Sequence, residues 1–421
     1  MPARGLASLR HRDHSPGMKK SALGLVVALL SVSPAWADAI TDWNVVAGEL
    51  ITAAEVPTPP ASRAMAIVHT AAFEAANAIT QRYPAPLLKL AAAREASVDA
   101  AIAAAFRGTL VQLVPAQKPA LEEAYRKFLG KIAEGPAKEA GVAIGTAAAT
   151  QMLALRADDG AAVQESYRPF TKAGVYVPTT VPAVPQWPGR NPCWNMTSAS
   201  QFRPGPPPAL DSALWARDYN EIKAVGARQS TTRTAEQTAM ARFWETTRPT
   251  IYHGVVRSVA NLPGRDVMQN ARLFAVATQA ADDAVVAVFD GKYTYAFWRP
   301  ITAIRNGDLD GNDATERDAS WRPFIETPMH PEYPCAHCIV AAAFGEVLRA
   351  EIGNGPVPTL TTTSPTADNV ARSWTSIDAF VKEVGNARIY DGVHFRNSTE
   401  VGADMGQKIG ALSVARHPQK K

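Results

Sequence analysis

Two histidines and two cysteines fall within nine residues of the stretch PMHPEYPCAHC, 328–338: His330, Cys335, His337 and Cys338. Imidazoles and thiolates bind metals, exchange disulfides and move protons near neutrality. Pro331 and Pro334 stiffen the run between them. A zinc or copper site is one reading, although a Cys and a His two apart at a helix start are poorly placed to join one tetrahedron with both neighbours. A redox C-x-x-C is a second, and it wants a βαβ context that the flanking sequence lacks. A cysteine phosphatase would carry an arginine six residues after its nucleophile, and position 341 is alanine. The third reading is an anion site. A helix that begins near Cys335–His337, just after Pro334, would present N–H groups and positive dipole to an anion, with His337 at its mouth as acid and base.

Two further blocks carry cations. In KYTYAFWRP, 292–300, seven residues of ideal helix turn through about 700°, so Lys292 and Arg299 return to nearly one face, roughly 10 Å apart. Pro300 then puts Arg299 near the helix end. In RIYDGVH, 388–394, Gly392 breaks the pattern, so Arg388 and His394 belong on a loop or ragged helix end. Asn397 or Ser398, followed by Glu400, resembles a cap that opens a final helix. Singly, each block also reads as an ordinary helix edge, helix start or turn. Jointly, two arginines, a lysine and two histidines suit a tetrahedral oxyanion. Cations and N–H groups neutralise its oxygens, one imidazole attacks or coordinates the central atom, and the other handles protons.

In that order the blocks resemble the vanadium-dependent haloperoxidase and type 2 phosphatidic acid phosphatase superfamily, whose pattern is K-x6-R-P, then P-S-G-H, then S-R-x5-H-x3-D. Lys292, Arg299, Pro300, Pro334, His337, Arg388 and His394 match with the family's internal spacing. GKYTYAFWRPITAIR and HPEYPxxH further resemble the bacterial haloperoxidase-like branch. The resemblance implies an all-α helical bundle and an enzyme that oxidises halide with hydrogen peroxide at a bound vanadate, without change in the metal's oxidation state. It implies that Lys292, Arg299 and Arg388 hold the vanadate oxygens, together with positions 335 and 336. His394 would be the axial vanadium ligand and His337 the general acid–base residue. His330 matches a histidine near the halide site of algal bromoperoxidases, where a fungal chloroperoxidase has an aromatic residue. The substrates implied are peroxide, halide and an organic acceptor. Two alternatives remain: an acid phosphatase of the same superfamily acting on a phosphoester through a phosphohistidine at His394, with no vanadate, or a non-catalytic helical protein with a degenerate oxyanion pocket.

The match has departures. Cys335 and Ala336 replace serine and glycine, Ala387 replaces the serine before Arg388, and Ser398 stands where an aspartate often supports the site. A thiol is a weaker donor than a hydroxyl, and a disulfide from Cys335 to Cys338 or Cys193 would leave no donor at all.

Helices must carry these groups. Residues 38–160 are Ala-rich with helical spacing at 64–79, 97–114, 119–133 and 138–158. Residues 161–210 hold 10 of the chain's 32 prolines between Pro169 and Pro208, with Trp187, Trp194 and Phe202 interleaved. That is an irregular segment whose aromatics want to pack on a core. Helical patterning resumes in 211–421, at 211–228, 233–246, 265–298, 337–352, 366–385 and 398–416, and no alternating strand pattern is evident.

Residues 1–37 read as a signal peptide. A basic Met18-Lys-Lys precedes the apolar run LGLVVALL and an A-x-A cleavage site at Ala35–Ala37, and Met18 is an alternative start. This implies a secreted or periplasmic protein with no transmembrane segment. The formal net charge of +4 resides in this segment: taking its five basic and one acidic residues from 43 and 39 leaves 38 of each. A neutral remainder argues against a nucleic-acid partner.

Overall fold

Small residues at helical spacing let helices approach closely, and in the computed structural model of this chain they do. The structure describes residues 38–418, apart from 85, 92, 163–165, 180–192 and 247. The expected signal peptide and Trp187 lie outside the described residues.

The N-terminal part folds as α1 (Ala39–Ala53), α2 (Thr58–Thr80), α3 (Val98–Leu113), α4 (Lys118–Leu129) and α5 (Pro136–Leu155). Asp38 and Ser97 cap α1 and α3 by accepting backbone N–H groups, and prolines open α2 and α5 where a missing N–H costs nothing. Beyond the proline-rich segment come α6 (Ala213–Val225), α7 (Ala235–Trp244), α8 (Pro249–Ala260), α9 (Val267–Tyr295), α10 (Pro300–Arg305) and α11 (Ala336–Ile352). A small antiparallel ribbon, β1 (Leu360–Thr363) with β2 (Ala371–Trp374), precedes α12 (Ile377–Tyr390) and α13 (Arg396–Arg416).

The expected all-α bundle is therefore present, with three local corrections. The ribbon replaces the first part of the helix expected at 366–385; Leu360 and Trp374 bury their side chains while alternate residues face outward. Helix α8 carries no expectation, because β-branched Ile251, Val255, Val256 and Val259 lower intrinsic helix propensity, and burial of one face overrides that. The final helix opens at Phe395 rather than at Asn397 or Ser398.

Helix α9 is the axis. Its 29 residues are almost wholly buried between α2 on one side and α11 on the other, and Asp266 with Gln269 closes a capping box at its start. Helix α11 lies closest to α13, which presents Gly402, Gly406 and Gly410 to it. A Cβ on Gly406 would fall 2.2 Å from the Ile339 carbonyl oxygen. The proline-rich segment packs on α9 through that helix's own carboxylates. Asp283 accepts the backbone N–H groups of Trp194 and Asn195, both at 2.8 Å, and Arg203 forms a fork of two 2.7 Å bonds with Asp290. Among the described residues no helix is long and apolar enough to cross a membrane.

Candidate functional site

The expectation that one helix carries both Lys292 and Arg299 fails at Ala296. That residue takes a left-handed conformation (φ 45°) and ends α9. Lys292 sits in the last turn of α9, and Arg299 is the N-cap of α10. They still converge, through a broken helix rather than along a continuous face, and both are fully buried. Arg388 is in the last turn of α12, His394 in the connection to α13, and His337 in the first turn of α11. His330 belongs to the loop before α11. Every residue singled out in these blocks lies in or beside one buried cluster.

The HPEYP loop organises it. Lys292 Nζ donates to the carbonyls of Pro331 and Glu332 at 2.9 Å and of Pro334 at 2.5 Å. Arg299 donates to the carbonyls of His330 and Val393 and places NH1 3.2 Å from His394 Nε2 and NH2 2.9 Å from His330 Nδ1. A guanidinium only donates, so both ring nitrogens are acceptors. His394 then carries its proton on Nδ1, which donates to Glu332 Oε1 at 2.8 Å. The Phe395 backbone N–H donates to the same oxygen at 3.0 Å. Arg388 NH1 donates to Trp244 O and, at 2.5 Å, to Asp391 Oδ2, so a carboxylate three residues away supplies the partner that Ser398 does not.

Burial and neighbouring cations decide the protonation states. Burial, with Arg388 for His337 and Arg299 for His394, holds both imidazoles well below their usual value, hence neutral. Burial and Arg299 also push Lys292 down, while Glu332 pulls the other way. Burial raises Glu332 and Asp391 to about 7, against the pull of the cations beside them. Lys292 still donates three hydrogen bonds, which only its ammonium form can do, so three cations face two carboxylates, each partly protonated near neutrality. The cluster keeps an excess of positive charge that suits an anion.

The opening stretch is not a metal knot. Cys335 and Cys338 are joined as a disulfide, and Cys193 lies buried apart from it. Among the described residues no group of three or more His, Cys, Asp or Glu is placed to hold a metal ion. Cys335 therefore has no thiol proton to donate, which corrects its expected place among the oxyanion donors. Its sulfur instead accepts the Cys338 N–H at 3.3 Å as the N-cap of α11. The first bond of that helix runs from Ile339 N–H to Cys335 O, so the amides of Ala336 and His337 precede the ladder.

A cavity of about 480 Å³ reaches the cluster, lined there by His330, Ala336, His337, Arg388 and His394. Its other walls come from α2, α8 and α9, including Ser62, Met65, Tyr252, His253 and Phe289. The N-terminal half thus builds part of the site, which no N-terminal motif announces. Glu332 and Asp391 also escape sequence reasoning, although both lie inside the motifs, between a proline and a tyrosine in HPEYP and after the tyrosine in RIYDGVH.

The fit to an oxyanion such as vanadate can be judged from atoms already in place. Arg388 Nε and His337 Nε2 are buried and make no hydrogen bond, and both residues stand in the cavity wall with His394. Buried polar atoms of that kind are rare without a ligand to satisfy them. The donor set fits.

Parts of the chain and its fold resemble known proteins. Residues 272–420 match the family model described as the VCPO second helical-bundle domain. The chain is 28% identical over 218 residues to the vanadium chloroperoxidase of Curvularia inaequalis, covering 44% of this chain and 34% of that protein, so it spans about a third of that relative's length. A bacterial vanadium-dependent iodoperoxidase superposes with a TM-score of 0.74 at 23% identity, covering 91% of this chain and 97% of the other. The apo form of a bacterial vanadium-dependent chloroperoxidase gives 0.70 at 18% identity, covering 84% and 91%.

Proposed function

Starting from a chain whose residues 272–420 belong with the second helical bundle of vanadium chloroperoxidase, within the haloperoxidase fold, we propose that it is a vanadate-dependent haloperoxidase oxidising halide with hydrogen peroxide. The observation that carries the reading is the pair of buried, unbonded polar atoms, Arg388 Nε and His337 Nε2, beside a His394 whose Nε2 carries the ring's lone pair, met by Arg299 NH1, because Glu332 holds the proton at Nδ1.

Arg388 would hold the vanadate oxygens with the Ala336 N–H at the α11 N-terminus, and His394 Nε2 would ligate vanadium. Lys292 and Arg299 would reach those oxygens only by giving up bonds to the HPEYP loop, and otherwise add charge. Bound vanadate supplies a Lewis-acidic centre that activates peroxide toward halide. The chain's own work is binding and proton handling. Glu332 keeps the His394 proton on Nδ1 and so leaves the lone pair on Nε2, where an anion's central atom would take the place of Arg299 NH1. Arg299, bonded to His330 and His394 together, fixes both rings. His337, neutral because it is buried, can accept a proton at Nε2 and return it. Met65, Val285 and Phe289 from α2 and α9 make the adjoining wall mostly apolar, and burial of the cluster strengthens the charge interactions inside it.

The test uses the purified full chain. Orthovanadate binding, followed by ⁵¹V NMR, and bromination of phenol red with peroxide are expected together, and His394→Ala should abolish both. Hydrolysis of a generic phosphomonoester, inhibited by vanadate and lost in His394→Ala, would place the chain with the acid phosphatases of the superfamily instead. Absence of vanadate binding overturns the reading.

A further inference from the structure

The cavity wall holds a second polar group that the chemistry above leaves unused. His253 of α8 lines the cavity and is 2% exposed. Its proton is placed from behind. Arg257, which can only donate, gives NH1 to Asn44 Oδ1 at 2.6 Å, and this turns the Asn44 amide nitrogen toward two histidines. That nitrogen donates to His69 Nε2 at 2.9 Å and to His253 Nδ1 at 2.7 Å. An imidazole accepting at Nδ1 and carrying no charge keeps its proton on Nε2. Burial, then Arg257, pushes His253 down to about 3, so the ring stays neutral at any working pH. Among the described residues no group accepts a hydrogen bond from His253 Nε2.

The rest of the lining sets what this donor could meet. Met65, Val285, Phe289, Val340 and Phe344 make the walls apolar. A volume of about 480 Å³ lies within the range of small-molecule sites, about 300–1,000 Å³.

We propose that this cavity binds a neutral, ring-sized organic molecule bearing a carbonyl or ether oxygen, oriented by a hydrogen bond from His253 Nε2–H. Arg257 and Asn44 act through His253 as positioning residues, because they choose its tautomer. What becomes of the bound molecule rests on the haloperoxidase reading, in which it is the organic acceptor held in the same cavity as His337 and His394. The binding itself does not depend on that reading.

The experiment therefore omits vanadate and peroxide. Acetophenone and α-methylstyrene have nearly the same shape, and only the first carries an acceptor oxygen. Titration of the full chain by calorimetry or ligand-observed NMR should show acetophenone binding about tenfold tighter, the worth of one hydrogen bond. In His253→Phe, which keeps an aromatic ring in the wall, the two should bind alike. Because that variant also takes an acceptor from Asn44, imidazole ¹⁵N NMR of the wild type gives a separate check, with His253 protonated at Nε2 alone. Asn44→Asp should move that proton to Nδ1 and erase the preference for acetophenone. Equal affinities in the wild type, a preference that survives His253→Phe, or a proton on Nδ1 would each overturn the inference.

Discussion

Glu332 and His394 are 62 residues apart in the chain and meet at 2.8 Å, carboxylate oxygen to Nδ1, inside a fully buried cluster. That contact decides which nitrogen of His394 carries the proton. It is the carboxylate–histidine support found behind ligating imidazoles generally.

Glu332→Gln weakens this control, because an amide can offer the ring either an acceptor or a donor. Vanadate-supported bromination should fall about 10- to 100-fold. Imidazole ¹⁵N NMR should show His394 protonated partly at Nε2. Unchanged rate and unchanged tautomer would mean that Arg299 alone orients the ring.

The disulfide leaves position 335 without a donor proton. In the double variant Cys335→Ser/Cys338→Ala a hydroxyl can both cap α11 and reach an anion. Vanadate affinity is expected to rise about tenfold, as one charge-assisted hydrogen bond would give. Weaker binding would show that the disulfide shapes the α11 N-terminus in a way a hydroxyl cannot replace.

Asp283 holds the proline-rich segment to α9, and burial raises its pKa to about 6. A carboxyl whose folded pKa is raised binds its proton more tightly when folded. Its contribution to stability is full below about pH 4 and is lost as pH rises through 6, by about 3 kcal/mol at 1.36 kcal/mol per unit. Asp283→Asn cannot titrate. The deficit of this variant relative to wild type, measured by urea unfolding, should therefore be larger at pH 4.5 than at pH 8. A gap independent of pH would deny the raised pKa.

Gly406→Ala would put a Cβ 2.2 Å from Ile339 O, at the seam that seats α11 and so His337. Overpacking of that kind costs about 1–3 kcal/mol. Unfolding should show the loss and vanadate binding should weaken with it. Gly205→Ala, where a Cβ meets nothing within 4 Å, is the control and should leave both unchanged.

Much of this was legible in the sequence. Ala- and Gly-rich helical periods announce a close-packed all-α bundle, because spacing and residue size are local properties. The three blocks around Lys292, His337 and Arg388 announce a gathering of cations and imidazoles, because residue type sets charge and donor count, and they do meet in one buried cluster. The supporting partners were less so. Glu332 and Asp391 sit inside the quoted motifs, yet only packing shows which cation or imidazole each one meets.

Other features were decided by tertiary structure alone. The turn at Ala296 ends α9 and brings Lys292 and Arg299 together by a different route from the one their spacing suggests. The pairing of Cys335 with Cys338 rather than Cys193 changes a donor into a cap. The cavity joins walls from α2, α8 and α9 to residues 330–394, and Arg257, Asn44 and His253 line up across 213 positions of chain. Hydrogen bonds and cavities belong to pairs of surfaces brought together by folding, so no single stretch of sequence contains them.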